Sequence, residues 1–144
     1  MQRLWSCKSS LSSRRLKISS LTVYNSGLGV GTLPGALVAH GIDTTVVEID
    51  PVVHEFALKY FQLPKNHTAV IEDAVSYTSK LASNKSSQGT YDYIIHDVFT
   101  GGAEPVALFT LEFLQNLNAL LAPGGVIAIV SPRPLNPLLT TAQD

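Results

Sequence analysis

The sequence predicts an α/β fold, a parallel sheet with helices on both faces. Three observations carry that expectation. The run Val23-Tyr24-Asn25-Ser26-Gly27-Leu28-Gly29-Val30-Gly31-Thr32 brings a short apolar segment to three alternate glycines. A second apolar run, Val46-Val47-Glu48-Ile49-Asp50, reaches a carboxylate 21 residues after Gly27. From there to Val130, β-branched runs alternate with helix-forming stretches.

Each element follows from local chemistry. Leu21–Asn25 reads as strand one. A helix follows the glycine loop, with Pro34 tolerated in its first turn and Gly41 ending it. Thr44–Ile49 is strand two. Asp50-Pro51 then opens a helix, the Asp as N-cap and the Pro at the first helical position, with Val52, Phe56 and Tyr60 as its apolar face. His67–Ile71 is strand three, closed by Glu72-Asp73, and Ala74, Tyr77, Thr78 and Leu81 suit a short helix. The polar stretch 83–90 is a surface loop. Tyr91–His96 is strand four, ending at Asp97. A glycine-containing loop follows, then a helix capped by Thr110 with Leu111, Leu114, Leu117 and Leu121 on one face. Pro123-Gly124-Gly125 breaks that helix, and Val126–Val130 is strand five, an exposed apolar edge.

A chain of 144 residues is one domain by length. Its 45% hydrophobic and 15% charged residues are those of a globular core rather than a disordered chain. No apolar stretch approaches the ~20 residues of a membrane span. A single cysteine, Cys7, excludes an internal disulfide and a cysteine-based zinc cluster, and four scattered histidines give no metal pattern. Residues 1–42 hold five Lys/Arg and no acid, whereas the rest carries all 11 acids and a net charge of −6. The Arg- and Ser-rich start has the composition of a mitochondrial transit peptide; the plainer reading is a disordered basic tail or a mis-set gene start. The expected layout is a disordered leader over 1–17, a nucleoside-binding domain over 18–131 and a proline-rich tail over 132–144. The late strands of such a sheet are missing, so a fragment or a faulty gene model is expected. The expected location is cytoplasmic, with mitochondrial as the alternative. Without aromatic interleaving in the basic stretch, nucleic acid is not an expected partner.

In a parallel α/β sheet the ligand sits at the carboxyl ends of the strands. Gly27–Gly31, Glu48, Asp73 and Asp97 all fall at such ends. The glycines let a turn approach a ligand without Cβ clashes, and the acid ending strand two can accept ribose hydroxyls. The dinucleotide pattern G-x-G-x-x-G would need glycine where Thr32 stands. The G-x-G-x-G found here points instead to the methionine part and ribose of a sulfonium nucleoside. A carboxylate such as Asp97 can hold an amine and take its proton as it attacks the carbon next to sulfur; its alternative is to cap the strand end. Asp73 is either a ligand group or the N-cap of the next helix. His96, alternating with Asp97 on the strand, faces the other way and is structural.

With these segments placed, residues ~21–130 resemble the nucleotide-binding half of the spermidine/spermine synthase family, a branch of the class I S-adenosylmethionine-dependent methyltransferase fold. The matching segments are Gly27-Leu28-Gly29-Val30-Gly31, Val47-Glu48-Ile49-Asp50, Glu72-Asp73-Ala74, Tyr91–Asp97, Ala103-Glu104-Pro105 through Leu108-Phe109-Thr110, and Leu121–Gly125. The resemblance implies a Rossmann-like parallel sheet. It implies that Gly27, Gly29 and Gly31 line the methionine-derived chain, that Glu48 takes the ribose hydroxyls and that Asp73 with Ala74 faces the adenine edge. Asp97 matches the acid that accepts the amine proton in the synthases. Their second acid, three residues on, is replaced here by Thr100, and their small N-terminal β-domain is absent.

The expected function is transfer of a methyl or aminopropyl group from S-adenosylmethionine or its decarboxylated form, without a metal, to an amine or polyamine or to a protein amine, with a homodimer as a further expectation. The alternatives are a non-catalytic nucleoside-binding domain and a nicotinamide-dependent oxidoreductase.

Overall fold

The computed structural model describes residues 21–98 and 105–130. The expected leader over 1–17, the tail over 132–144, Thr100 and Ala103-Glu104 lie outside the described residues. The described chain runs β1 Thr22–Ser26, α1 Thr32–Ala39, β2 Asp43–Glu48, α2 Pro51–Tyr60, β3 Thr68–Ile71, α3 Ala74–Ser83, β4 Tyr91–His96, a 3-10 turn Val106–Phe109, α4 Leu111–Leu120 and β5 Leu121–Ile129. The five strands form one parallel sheet in the order β3-β2-β1-β4-β5. The chain starts in the middle, runs outward through β2 to β3, then crosses back past β1 to β4. The crevice between the β1 and β4 tips is therefore the switch point where such sheets bind ligands.

Successive strand residues face opposite sides of the sheet, so each interior strand feeds two cores. Val46 packs with Leu28, Ala57 and Leu63 beneath α2. Val47 joins Tyr24, Ile94, Phe113, Leu117 and Leu120 beneath α3 and α4. Tyr24 is fully buried there. Its hydroxyl bonds Thr78 Oγ1 at 2.7 Å, and burial raises its pKa far above the ordinary phenol value.

The helix starts follow the local chemistry expected of them. Asp50 accepts the Val52 N–H at 2.8 Å with Pro51 next, and Thr110 accepts the Phe113 N–H at 3.2 Å. Gly41, at φ +75°, follows the end of α1.

Two apolar faces differ from expectation. Val52, Phe56 and Tyr60 of α2 are exposed by 50%, 50% and 59%, and Ala57 with Val53 packs inward instead. A step of one position rotates the helix by about 100°, and the α2 stripe that meets the sheet is built of smaller residues. On α4 the inward residues are Phe113, Leu117 and Leu120, with Leu111 72% exposed. Leu121 already belongs to β5, so α4 ends before Pro123-Gly124-Gly125 and those residues form an irregular start to the strand. Strands one and two also lie a residue away from their expected bounds.

Backbone hydrogen bonds stitch the strand tips along one edge. Glu72 N–H donates to Glu48 C=O at 3.1 Å, Gly27 N–H to Val47 C=O at 3.0 Å, Asp97 N–H to Ser26 C=O at 3.0 Å and Val130 N–H to His96 C=O at 2.9 Å. The candidate ligand groups hang from this edge.

Candidate functional site

Gly27 and Gly29 need glycine for different reasons. Gly27 has φ +87°, and a Cβ there would lie 2.1 Å from the Asp97 carbonyl oxygen. The β1 and β4 tips therefore touch, backbone to backbone. Gly29 has φ +54°, but a Cβ would meet nothing within 4 Å. Its side faces open space, as a ligand-lining glycine must.

These tips enclose a cavity of about 520 Å³. Its lining includes Gly27, Leu28, Gly29, Glu48, Asp73, Ala74 and Asp97, six of the seven expected site residues among them. Gly31 is not part of this lining: a Cβ there would meet Leu63 and Ala57, and at φ +82° it opens α1, which gives it packing and turn contacts. A second cavity of about 430 Å³ shares Gly27, Leu28, Gly29 and Asp97 with the first and extends along α1 past Thr32 and Leu33.

Glu48 is only 9% exposed. Its Oε2 accepts the Leu28 N–H and its Oε1 the Asp50 N–H, both at 3.0 Å. It thus pins the glycine turn to the β2 tip, a function the spacing alone did not reveal. Each carboxylate oxygen keeps a further lone pair.

Asp73 does both things weighed for it at the level of geometry: it lines the cavity, and it caps α3 by accepting the Ser76 N–H at 2.9 Å and hydroxyl at 2.8 Å. The Ser76 backbone bond holds its pKa below the ordinary carboxylate value. Asp97 is exposed at the mouth, between the two cavities. His96 faces the opposite way, fully buried, with its pKa lowered by burial.

Among the described residues, four ionisable groups line the first cavity, Glu48, Glu72, Asp73 and Asp97, and all are acids. Among the described residues, Glu72 alone of these has a cationic partner, Lys80. Such a lining attracts a cation. Ile49, 68% exposed, and the Pro105–Leu108 segment complete an apolar wall that sequence reasoning did not assign to the site. Among the described residues, no group of three or more His, Cys, Asp or Glu is placed to hold a metal ion, and no helix is long and apolar enough to cross a membrane.

Known proteins resemble this chain in sequence and fold. The spermine/spermidine synthase domain family matches residues 29–141. An N-terminal histidine N-methyltransferase of Emericella nidulans is 64% identical over 103 residues, covering 72% of this chain and 18% of that protein. A polyamine aminopropyltransferase of Vibrio vulnificus is 38% identical over 105 residues, 70% of this chain and 34% of that protein. Human methyltransferase-like protein 13, solved in complex with SAH, superposes with a TM-score of 0.68 at 30% identity, covering 74% of this chain and 52% of that one. The chain thus spans about a third or less of the length of these curated relatives. The sheet order, the glycine turn, the strand-tip acids and the family match converge: this chain belongs to the spermine/spermidine synthase domain family, with the class I methyltransferase-like fold.

Proposed function

We propose that this chain carries the donor site of an alkyl transferase that moves a methyl group from S-adenosylmethionine onto an amine. The observation that carries the reading is the cavity at the switch point, whose ionisable lining residues, among those described, are all acidic. A sulfonium nucleoside and an amine are both cationic. When bound, the donor supplies an electrophilic carbon next to its positive sulfur.

The chain's own groups supply the rest. Glu48 takes the ribose hydroxyls with the lone pairs that its two backbone bonds leave free. Gly29 leaves room for the methionine-derived chain, and Ala74 with the cap region of α3 lies against the adenine. Asp97 holds the amine as an ammonium ion and takes the proton whose loss frees the nitrogen lone pair; the nitrogen then bonds to the donor carbon as the carbon–sulfur bond breaks and the sulfur leaves as a neutral thioether. A positioned base of this kind contributes roughly 10²–10⁴ in rate, and in-line proximity supplies most of the remainder.

Methyl transfer is favoured by the 64% identity to a methyltransferase against 38% to an aminopropyltransferase. Aminopropyl transfer to a polyamine is the second reading, supported by the family match itself. Thr100 in place of a second acid leaves one matching carboxylate for a polyamine bearing several charges. Calorimetry with S-adenosylmethionine, its decarboxylated form and NAD separates the donors. Turnover with peptide amines and with putrescine separates the acceptors. Binding of NAD alone would sink the transferase reading, and donor binding without transfer to any amine would leave a nucleoside-binding domain.

A further inference from the structure

One buried polar pair has no part in the chemistry above. Ser26 ends β1 and His96 ends β4, and the two are register partners. Both are fully buried. Ser26 Oγ and His96 Nδ1 share a hydrogen bond of 2.6 Å. Among the described residues, the other imidazole nitrogen, Nε2, has no side-chain hydrogen-bond partner. The ring sits edge-on to Phe109 at 5.2 Å and tilted against Phe113 at 5.3 Å between ring centres, beside the Leu108 backbone. The Ser26 bond is therefore the side-chain hydrogen bond that sets the rotation of a ring packed among aromatics.

The next residue along each strand belongs to the site. Gly27 follows Ser26, and Asp97 follows His96. Their backbones are in contact, since a Cβ on Gly27 would fall 2.1 Å from the Asp97 carbonyl oxygen. Asp97 N–H in turn donates to the Ser26 carbonyl at 3.0 Å. The direction in which Asp97 leaves the sheet thus depends on how residue 96 is seated. An apolar pair of the same shape would hold the sheet nearly as well, because removing both partners of a buried hydrogen bond is close to neutral for stability.

We infer that Ser26 and His96 are positioning residues for Asp97: their buried hydrogen bond fixes the β4 tip so that the Asp97 carboxylate meets the attacking amine. This rests on the proposed role of Asp97 as proton acceptor. A displacement of about 1 Å at such a group lowers the rate about 10²-fold, whereas donor affinity depends on Glu48 and on the glycine turn that Glu48 ties to the β2 tip.

The test uses the full chain, with Ser26→Ala, His96→Leu, the double variant and His96→Asn, which keeps a polar atom near the place of Nδ1. Donor Kd, kcat at saturating donor and unfolding midpoint are measured for each. The single variants Ser26→Ala and His96→Leu are expected to lose stability and at least tenfold in kcat. The double variant regains much of the stability and none of the kcat, and His96→Asn keeps more kcat than His96→Leu. Donor Kd stays within about threefold throughout. A double variant that regains kcat together with stability overturns the inference, because the pair is then structural only. A donor Kd that weakens in step with kcat overturns it too, because the pair then serves the donor cavity. A native chain that binds donor and transfers to no amine overturns the proposed function, and this inference with it.

Discussion

Glu48 is where stability and the proposed donor binding are most tightly joined. Replacing it by alanine removes acceptors from two backbone N–H groups, those of Leu28 and Asp50, each now 3.0 Å from a carboxylate oxygen. Leaving a buried donor unsatisfied costs about 1–3 kcal/mol; the Leu28 N–H is buried, whereas the Asp50 N–H is partly open to solvent, which replaces part of its loss. Glu48→Ala is therefore expected to lose about 1–4 kcal/mol of a total that is about 5–15 kcal/mol for a domain. Donor binding falls as well. Two charge-assisted bonds to ribose are each worth about 1.5–3 kcal/mol, and about 1.4 kcal/mol is tenfold in affinity, so the loss is at least tenfold. Glu48→Gln separates the effects, since its carbonyl still serves one backbone N–H. Denaturant melts should show roughly half the destabilisation of the alanine variant, while calorimetry with S-adenosylmethionine still shows a tenfold loss. Native affinity in Glu48→Gln would refute its place in the nucleoside site. Native stability in Glu48→Ala would refute its hold on the glycine turn.

Other outcomes follow from the same geometry. Gly27→Ala should prevent stable folding or abolish donor binding, because its Cβ would strike the Asp97 backbone, whereas Gly29→Ala should fold with a loss of about 1–2 kcal/mol from its positive φ; equal melts for the two would contradict the close approach of β1 and β4. Asp97→Asn should keep donor Kd and lower kcat by about 10²–10⁴, and unchanged turnover would remove Asp97 from the chemistry. His96 and His54 both have pKa values lowered by burial from 6.5. The unfolded chain then binds the proton first, so stability is full above about pH 6.5 and declines as pH falls toward the folded-state values; a midpoint that rises between pH 7.5 and 5.5 would contradict it. Thr100→Asp should improve turnover with putrescine if the site can take a polyamine, read as kcat/KM beside the native chain.

The parts legible in the sequence are those whose physics is local. Asp50, Asp73 and Thr110 cap their helices because a side-chain oxygen need reach only two or three residues along the chain. The acids at 48, 73 and 97 could be set at strand ends because apolar runs stop beside them. Gly31 was harder to place, since glycine at positive φ serves a ligand and a tight packing contact equally well. The inward face of α2 was not legible because two neighbouring stripes are apolar, Val52-Phe56-Tyr60 and Val53-Ala57, and only packing against the sheet selects the second.

What the sequence by itself determined is the order of strands and helices and the set of groups gathered at the carboxyl edge, because alternation, caps and glycine turns act over a few residues. Tertiary structure alone decided that Glu48 ties down the glycine turn 20 residues before it, that Pro105–Leu108 walls the cavity, and that Ser26 meets His96 across 70 residues. Those contacts depend on strand register, on which side of β1 the chain returns, and on how each helix is rolled on the sheet. No local pattern encodes these; packing of the whole core sets them.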